Sequence, residues 1–200
     1  MIDDPCQALN AICVGGVTDL VDPVPPLPNA ALLASRGELS PHSPSGTARR
    51  AIKPDVICEA GNVLWDGCLC DTCYDGLCLL TTNADFNLRP LTTDSGTSLA
   101  AAAAARMLAL IWADNPSYKP ATIRGLLVHS ARWTDALQKQ FGSRRDLIRA
   151  CGYGVPDLDA ARRSAKSAVT LVVEDELRCG LRERVGGRAT TVREMAVHRI

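Results

Sequence analysis

The chain lacks net charge: Lys plus Arg and Asp plus Glu balance at 22 each. No global field therefore points toward nucleic acid or an anionic membrane. Aromatic residues are scarce, at 4%, which argues against the base-stacking platforms of single-strand binders. No apolar run reaches the ~20 residues of a membrane span. The nearest, Leu99 to Ala113, is mostly alanine and is broken by Arg106. The N-terminus, Met1-Ile2-Asp3-Asp4-Pro5, carries neither the basic nor the apolar region of a secretory signal. These absences lead to the expectation of a cytoplasmic protein that engages neither nucleic acid nor membrane.

What is present is an ordinary globular composition, with 46% hydrophobic and 22% charged residues. Two hundred residues suit one medium domain, or part of a larger one. A chain of that size buries roughly 70% of its unfolded surface without needing staples. Nine cysteines are a high and odd number. Without an export signal, they read as free thiols or metal ligands rather than as a disulfide framework. Cys13 and Cys58 lie in apolar runs and are expected to pack as small hydrophobes.

Strands are expected at Ala11 to Val17, Ile52 to Glu59, Leu79 to Thr82 and Val169 to Val173. Pro23, Pro25, Pro26 and Pro28 forbid regular structure between the first two. A helix from about Ser98 to Ala113 is apolar nearly all round, which predicts a buried helix rather than an amphipathic one. It stops at Asn115-Pro116. Pro120 suits a first helical position, and Ile123, Leu126, Leu127 and Ala131 continue at helical spacing. Further helical pieces are expected between Asp135 and Ala150, and an Ala/Arg-rich helix after the Gly152–Asp157 turn. The tail from Arg182 is polar and carries no clear pattern. Strands mixed with long helices indicate an α/β protein.

Ser98 is the most informative residue. Gly96-Thr97-Ser98-Leu99 leads directly into six alanines, Ala100 to Ala105, so a hydroxyl stands on the first turn of a helix. The first N–H groups of a helix have no internal partners, and the peptide dipoles leave partial positive charge there. An oxyanion developing beside Ser98 would be favoured. Locally, the same serine also reads as a helix N-cap.

Six segments, in order, carry a resemblance. Ala11-Ile12-Cys13-Val14-Gly15-Gly16-Val17-Thr18-Asp19 is similar to the ITVGAVTD strand of subtilisin-like serine proteases. Leu33-Ala34-Ser35-Arg36-Gly37 resembles the later half of their ASFSSRG turn, and Ile52-Lys53-Pro54-Asp55-Val56 through Gly61 their KPDVxAPG segment. Gly96-Thr97-Ser98-Leu99-Ala100 matches the GTSxA nucleophile motif. Asn115-Pro116 through Ser130-Ala131 resembles the following helix pair, and Gly152-Tyr153-Gly154-Val155-Pro156-Asp157 the closing GxGxxD turn. Together the blocks span about residues 8 to 165.

The resemblance implies a three-layer α/β fold with a parallel sheet, of which this chain would be an N-terminally truncated portion. Residues 1–175 would form the C-terminal part of the catalytic domain, and 176–200 a tail or the start of a further segment. It also implies a polypeptide substrate and a serine endopeptidase mechanism. Ser98 would attack the peptide carbonyl, its N–H would donate to the oxyanion, and the Thr97 hydroxyl would add support. The family's aspartate, histidine and oxyanion asparagine precede the segment where this chain begins. A complementing N-terminal half is therefore the expected partner. His42 sits in a Pro/Ser loop without the HGT context, His129 within a helix, and His198 in the tail, so none fits the base. Asn62 is a tempting oxyanion donor, but it lies in the KPDV block rather than the asparagine's own.

Cys68-x-Cys70-x₂-Cys73-x₄-Cys78 puts four thiols within eleven residues. The set could hold zinc tetrahedrally, although only Cys70-x₂-Cys73 has knuckle spacing; free surface thiols are the alternative. No cofactor is otherwise required, and the sequence is silent on calcium. Three functions stay open: a serine endopeptidase of which this chain carries the nucleophile half, an inactive remnant or binding module, and a zinc-binding protein.

Overall fold

The computed structural model describes residues 6, 8–23, 30–44, 52–166 and 172–174, and the backbone of 182–185 and 188–191. In chain order the elements are β1 (Val14–Thr18), β2 (Ala31–Leu32), β3 (Glu38–Leu39), β4 (Val56–Glu59), β5 (Leu64–Trp65), β6 (Cys70–Asp71), β7 (Leu79–Thr82) and β8 (Leu91–Asp94). There follow α1 (Thr97–Asp114), α2 (Pro120–Ser130), α3 (Asp135–Gln140), α4 (Arg144–Cys151) and α5 (Leu158–Lys166), then β9 (Arg182–Val185) and β10 (Arg188–Thr191).

The fold is α/β, built on a mixed sheet of order β3-β1-β4. β1 and β4 run parallel, with Val14 opposite Val56 and Gly16 opposite Cys58. The short β3 pairs antiparallel with the end of β1, Val17 opposite Leu39. Strand alternation sends side chains to two faces. Val17 and Ile57 face Leu137 of α3 and Leu147, Ala150 and Cys151 of α4. Cys58 and Ala60 face Ala100 and Ala104 of α1, with Val14 packed beside them. Helices thus cover both faces, giving three layers. A further core joins Ile111 of α1 to Ile123, Leu126 and Leu127 of α2 and Ala161 of α5.

Both parallel strands start later than the apolar runs suggest. Lys53 is buried, at 2% exposure against 17% for Asp55. Its Nζ donates to Asp55 Oδ2 at 2.7 Å and to the Ala11 carbonyl at 2.8 Å. The same Oδ2 accepts the Cys13 N–H at 2.7 Å. This ion pair holds Ala11 and Cys13 out of β1 and keeps Lys53–Asp55 a bend before β4. Cys13 is consequently not a free hydrophobe: it forms a disulfide with Cys6, the two Cα atoms 5.1 Å apart. Seven residues of separation let the segment fold back on itself. Cys58 and Cys151 do pack as buried thiols, pushed by burial up to about 11 and about 12.

The serine helix departs from the expected all-round burial. Ala100, Ala104 and Ile111 are buried, while Ser98, Ala101, Ala102, Ala105, Ala109 and Trp112 form an exposed stripe. The cause is two-sided packing, against β1 and β4 at one end and α2 and α5 at the other. By length and composition alone, these 18 residues also suffice to cross a membrane. Here the helix is tied to α5, with Asp114 accepting from Arg162 Nε at 2.6 Å and Nη2 at 3.2 Å. That guanidinium, in hydrogen bonds first and charge second, holds the Asp114 carboxyl below its usual range.

Outside the main sheet, β2-β5-β6 and β7-β8 are small antiparallel units. The segment from Trp65 to Leu91 exposes Leu69, Leu80, Phe86 and Leu88. Of the strand expected at Val169 to Val173, residues 169–171 lie outside the described ones, and Val172 and Val173 are irregular. Within the tail, β9 and β10 pair antiparallel, Arg182 opposite Thr191 and Val185 opposite Arg188.

Two predictions follow from these ties. Asp55→Ala leaves the Lys53 ammonium buried without its partner, which costs about 3–5 kcal/mol; urea unfolding measures it, and a loss within experimental error would refute the pairing. Glu174 accepts from the Lys119 N–H at 2.8 Å and from the Thr122 hydroxyl at the start of α2. The Thr122 bond foremost, then the Lys119 bond, holds its carboxyl below the usual value. A depressed folded-state value contributes stability above the unfolded value of about 4.3, lost as pH falls through the folded one. Glu174→Gln should therefore be less stable than the parent at pH 7, with the difference closing in acid; an equal gap at both ends contradicts it.

Candidate active site

The site begins where β4 ends. The Ala60 carbonyl accepts the Gly96 N–H at 2.7 Å, which sets the entry to α1 beside the strand. Gly61 has a φ of +84°, and a Cβ there would lie 2.8 Å from Ser95 Cβ and 2.9 Å from the Leu77 carbonyl. Only glycine fits that approach. Gly61 also takes the Ser40 hydroxyl on its carbonyl at 2.6 Å. Ser95 anchors the other side, donating from Oγ to the Thr72 carbonyl at 2.5 Å.

From that anchor the chain turns through Gly96, at a φ of +129°, and the helix starts at Thr97. Gly96 is the N-cap, with no side-chain hydrogen bond closing the helix end. The cap role open to Ser98 from its sequence is therefore not the one it plays. Ser98 is the second helical residue and is exposed. Among the described residues, its hydroxyl makes no hydrogen bond, and neither do the N–H groups of Thr97 and Ser98. The Leu99 N–H is already engaged, bonding the Gly96 carbonyl at 3.2 Å. The result is an accessible hydroxyl beside two free backbone donors at the positive end of an 18-residue helix. Thr97 is half-buried next to it.

No base meets this serine among the described residues. His129 is exposed in α2, and its carbonyl accepts from Arg132. His42 is half-buried, with Nε2 buried and without a hydrogen-bond partner. His198 lies outside the described residues. Asn62 has its amide fully committed: Nδ2 donates to the Leu20 carbonyl at 3.0 Å and to the Ala34 carbonyl at 2.8 Å, in a wholly buried position. It clamps two loops and has no proton left for an oxyanion. A buried Asn between Gly and Val in an apolar stretch was the signal for such a clamp.

The four clustered cysteines are not brought together. Cys68 sits in the turn that Asp66 caps, and Cys70 stands on β6 opposite Trp65. Cys73 and Cys78 flank one turn, with Cys73 Sγ toward the Thr93 carbonyl and Cys78 Sγ toward the Thr72 carbonyl, each at 4.0 Å. Among the described residues, no group of three or more His, Cys, Asp or Glu side chains is placed to hold a metal ion.

Comparison with known proteins agrees with this framework. Over 194 residues the chain is 28% identical to "Uncharacterized protein y4bN" of Sinorhizobium fredii (strain NBRC 101917 / NGR234), covering 87% of this chain and 43% of that protein. Its fold is similar to a structure described as "Proteases from Pseudoalteromonas arctica PAMC 21717", with a TM-score of 0.52 at 20% identity. That likeness covers 81% of this chain and 38% of the other. The chain thus spans less than half the length of either relative. Residues 1–154, which hold the paired strands, the Gly96–Ser98 turn and helices α1 to α4, match the Peptidase S8 family. The chain belongs to the subtilase family.

Proposed function

We propose that this chain carries the nucleophile half of a serine endopeptidase, with Ser98 forming the acyl-enzyme. One observation carries the reading: within a family match over residues 1–154, the Ser98 hydroxyl is exposed on the second residue of α1, beside unengaged N–H groups. A polypeptide carbonyl carbon placed against Oγ would have its oxygen within reach of the Ser98 N–H. One such donor contributes about 2.7–4 kcal/mol to the transition state. The Thr97 hydroxyl, one residue earlier, adds a second polar group.

The proton on Ser98 Oγ needs an acceptor, and an aspartate must orient that acceptor. In this reading both come from a complementing N-terminal half, together with the oxyanion asparagine. The shares of 43% and 38% of the relatives' lengths support it. In subtilisin, loss of nucleophile or base alone lowers turnover on the order of 10⁶-fold. The 200-residue chain alone is accordingly expected to be almost inert.

Fluorophosphonate labelling tests this. The gene product that includes an upstream aspartate and HGT block should label, and Ser98→Ala should abolish the signal. The chain alone should label more slowly by on the order of 10⁴-fold or more. Labelling unaffected by Ser98→Ala would refute the assignment. A reading frame without those upstream blocks would leave a non-hydrolytic binding module in its place.

A further inference from the structure

Cys73 and Cys78 flank a tight turn in which the Leu77 N–H donates to the Tyr74 carbonyl at 3.0 Å, with Gly76 at a φ of +83°. The turn is locked to its surroundings. The Cys73 N–H bonds Asp71 Oδ1 at 2.9 Å, and Asp75 Oδ1 accepts the Thr93 hydroxyl of β8 at 3.0 Å. The two sulfurs point back at the same framework: Cys73 toward the Thr93 carbonyl and Cys78 toward the Thr72 carbonyl, each at 4.0 Å. The Cys73 thiol lies near enough to Cys78 to act on its charge, and the Ser95 side chain stands beside Cys78. Thr72 and Leu77 also carry the site, through the Ser95 hydroxyl on the Thr72 carbonyl and the Asn62 N–H on the Leu77 carbonyl at 2.9 Å. Cys73 is exposed whereas Cys78 is buried.

We infer that Cys73 and Cys78 form a redox-active thiol pair whose disulfide rigidifies the turn supporting Ser95 and Gly96, two residues before Ser98. The oxidant is a low-molecular-weight disulfide, RSSR. The Cys73 sulfur, as thiolate, attacks one sulfur of RSSR; the S–S bond breaks, and the departing thiolate takes up the proton Cys73 lost. Cys78, losing its proton, then attacks the Cys73 sulfur of the mixed disulfide and displaces the second RS⁻, which takes that proton. Two cysteine thiols are oxidised to one disulfide, and RSSR is reduced to two RSH.

The order of attack follows from access and charge. Burial first, and the neighbouring Cys73 second, push the Cys78 thiol up to about 12, so it stays protonated while Cys73 is free. Capping Cys73 as a mixed disulfide removes the second cause. Cys73 is thus the entry thiol and Cys78 the resolving one. Cys68 and Cys70, although exposed, belong to other local units, the Asp66-capped turn and β6.

The test maps the connectivity in the 200-residue chain. The reduced protein is exposed to oxidised glutathione under native conditions, remaining thiols are alkylated, and peptides are identified by mass spectrometry. A Cys73–Cys78 cross-link is expected. Cys78→Ser should retain glutathione on Cys73, whereas Cys73→Ser should leave the buried Cys78 unmodified. Cys73 joined to Cys68 or Cys70, or both Cys73 and Cys78 recovered alkylated, would overturn the inference. The parent chain decides this even where a variant does not fold. Amide exchange at Gly96, whose N–H bonds the Ala60 carbonyl, should slow on the order of tenfold on oxidation; unchanged exchange there would overturn the link to the serine turn. Neither readout depends on peptidase activity, so each can fail independently of the proposed function.

Discussion

The hydrogen bond from the Gly96 N–H to the Ala60 carbonyl, at 2.7 Å, is the constraint on which the rest of the site depends. It joins the end of a parallel strand to the first turn of the serine helix. The bond needs the close approach at Gly61, where a Cβ would collide with Ser95 and with the Leu77 carbonyl. It also needs β4 to be held in depth, which the buried Lys53–Asp55 pair does from the strand's other end. Sequence, strand placement and helix entry are thereby coupled through a few backbone atoms. Displacing any of them moves Ser98.

That coupling explains why Ser98 can remain both exposed and well placed. A hydroxyl that capped its own helix would be occupied, its lone pairs turned to an N–H one turn on. Here Gly96 takes the cap position with no side chain, and the Ser98 hydroxyl is left outside. The alanines then serve proximity: Ala100 and Ala104 allow the helix to sit against Cys58 and Ala60 of the sheet. The remaining alanines expose little apolar area each, so an open stripe on α1 is tolerable.

The parts of the fold that were legible in sequence are those set by local chemistry. Pro120 at the start of α2 and the 3–4 spacing of Ile123, Leu126 and Leu127 put that helix where it is found. The Gly-Thr-Ser run gave the start of α1 to within one residue. What was hidden depends on partners distant in sequence. The reach of Lys53 to Ala11 spans 42 residues, and the Asn62 clamp joins Leu20 and Ala34. Periodicity is blind to both. The Cys6–Cys13 disulfide is hidden for a different reason: the absence of an export signal argues for free thiols, whereas the short separation of seven residues permits closure. The exposure of α1 is not legible because composition reports what a helix can bury, not how many neighbours it has.

The most direct measurement of the central claim is a crystal structure of the gene product including any residues that precede this chain. The account predicts a histidine nitrogen from that preceding portion within about 2.6–3.2 Å of Ser98 Oγ, with the Ser98 N–H still unengaged by protein. A Ser98 hydroxyl covered by an apolar surface, or facing no imidazole at all, would contradict it.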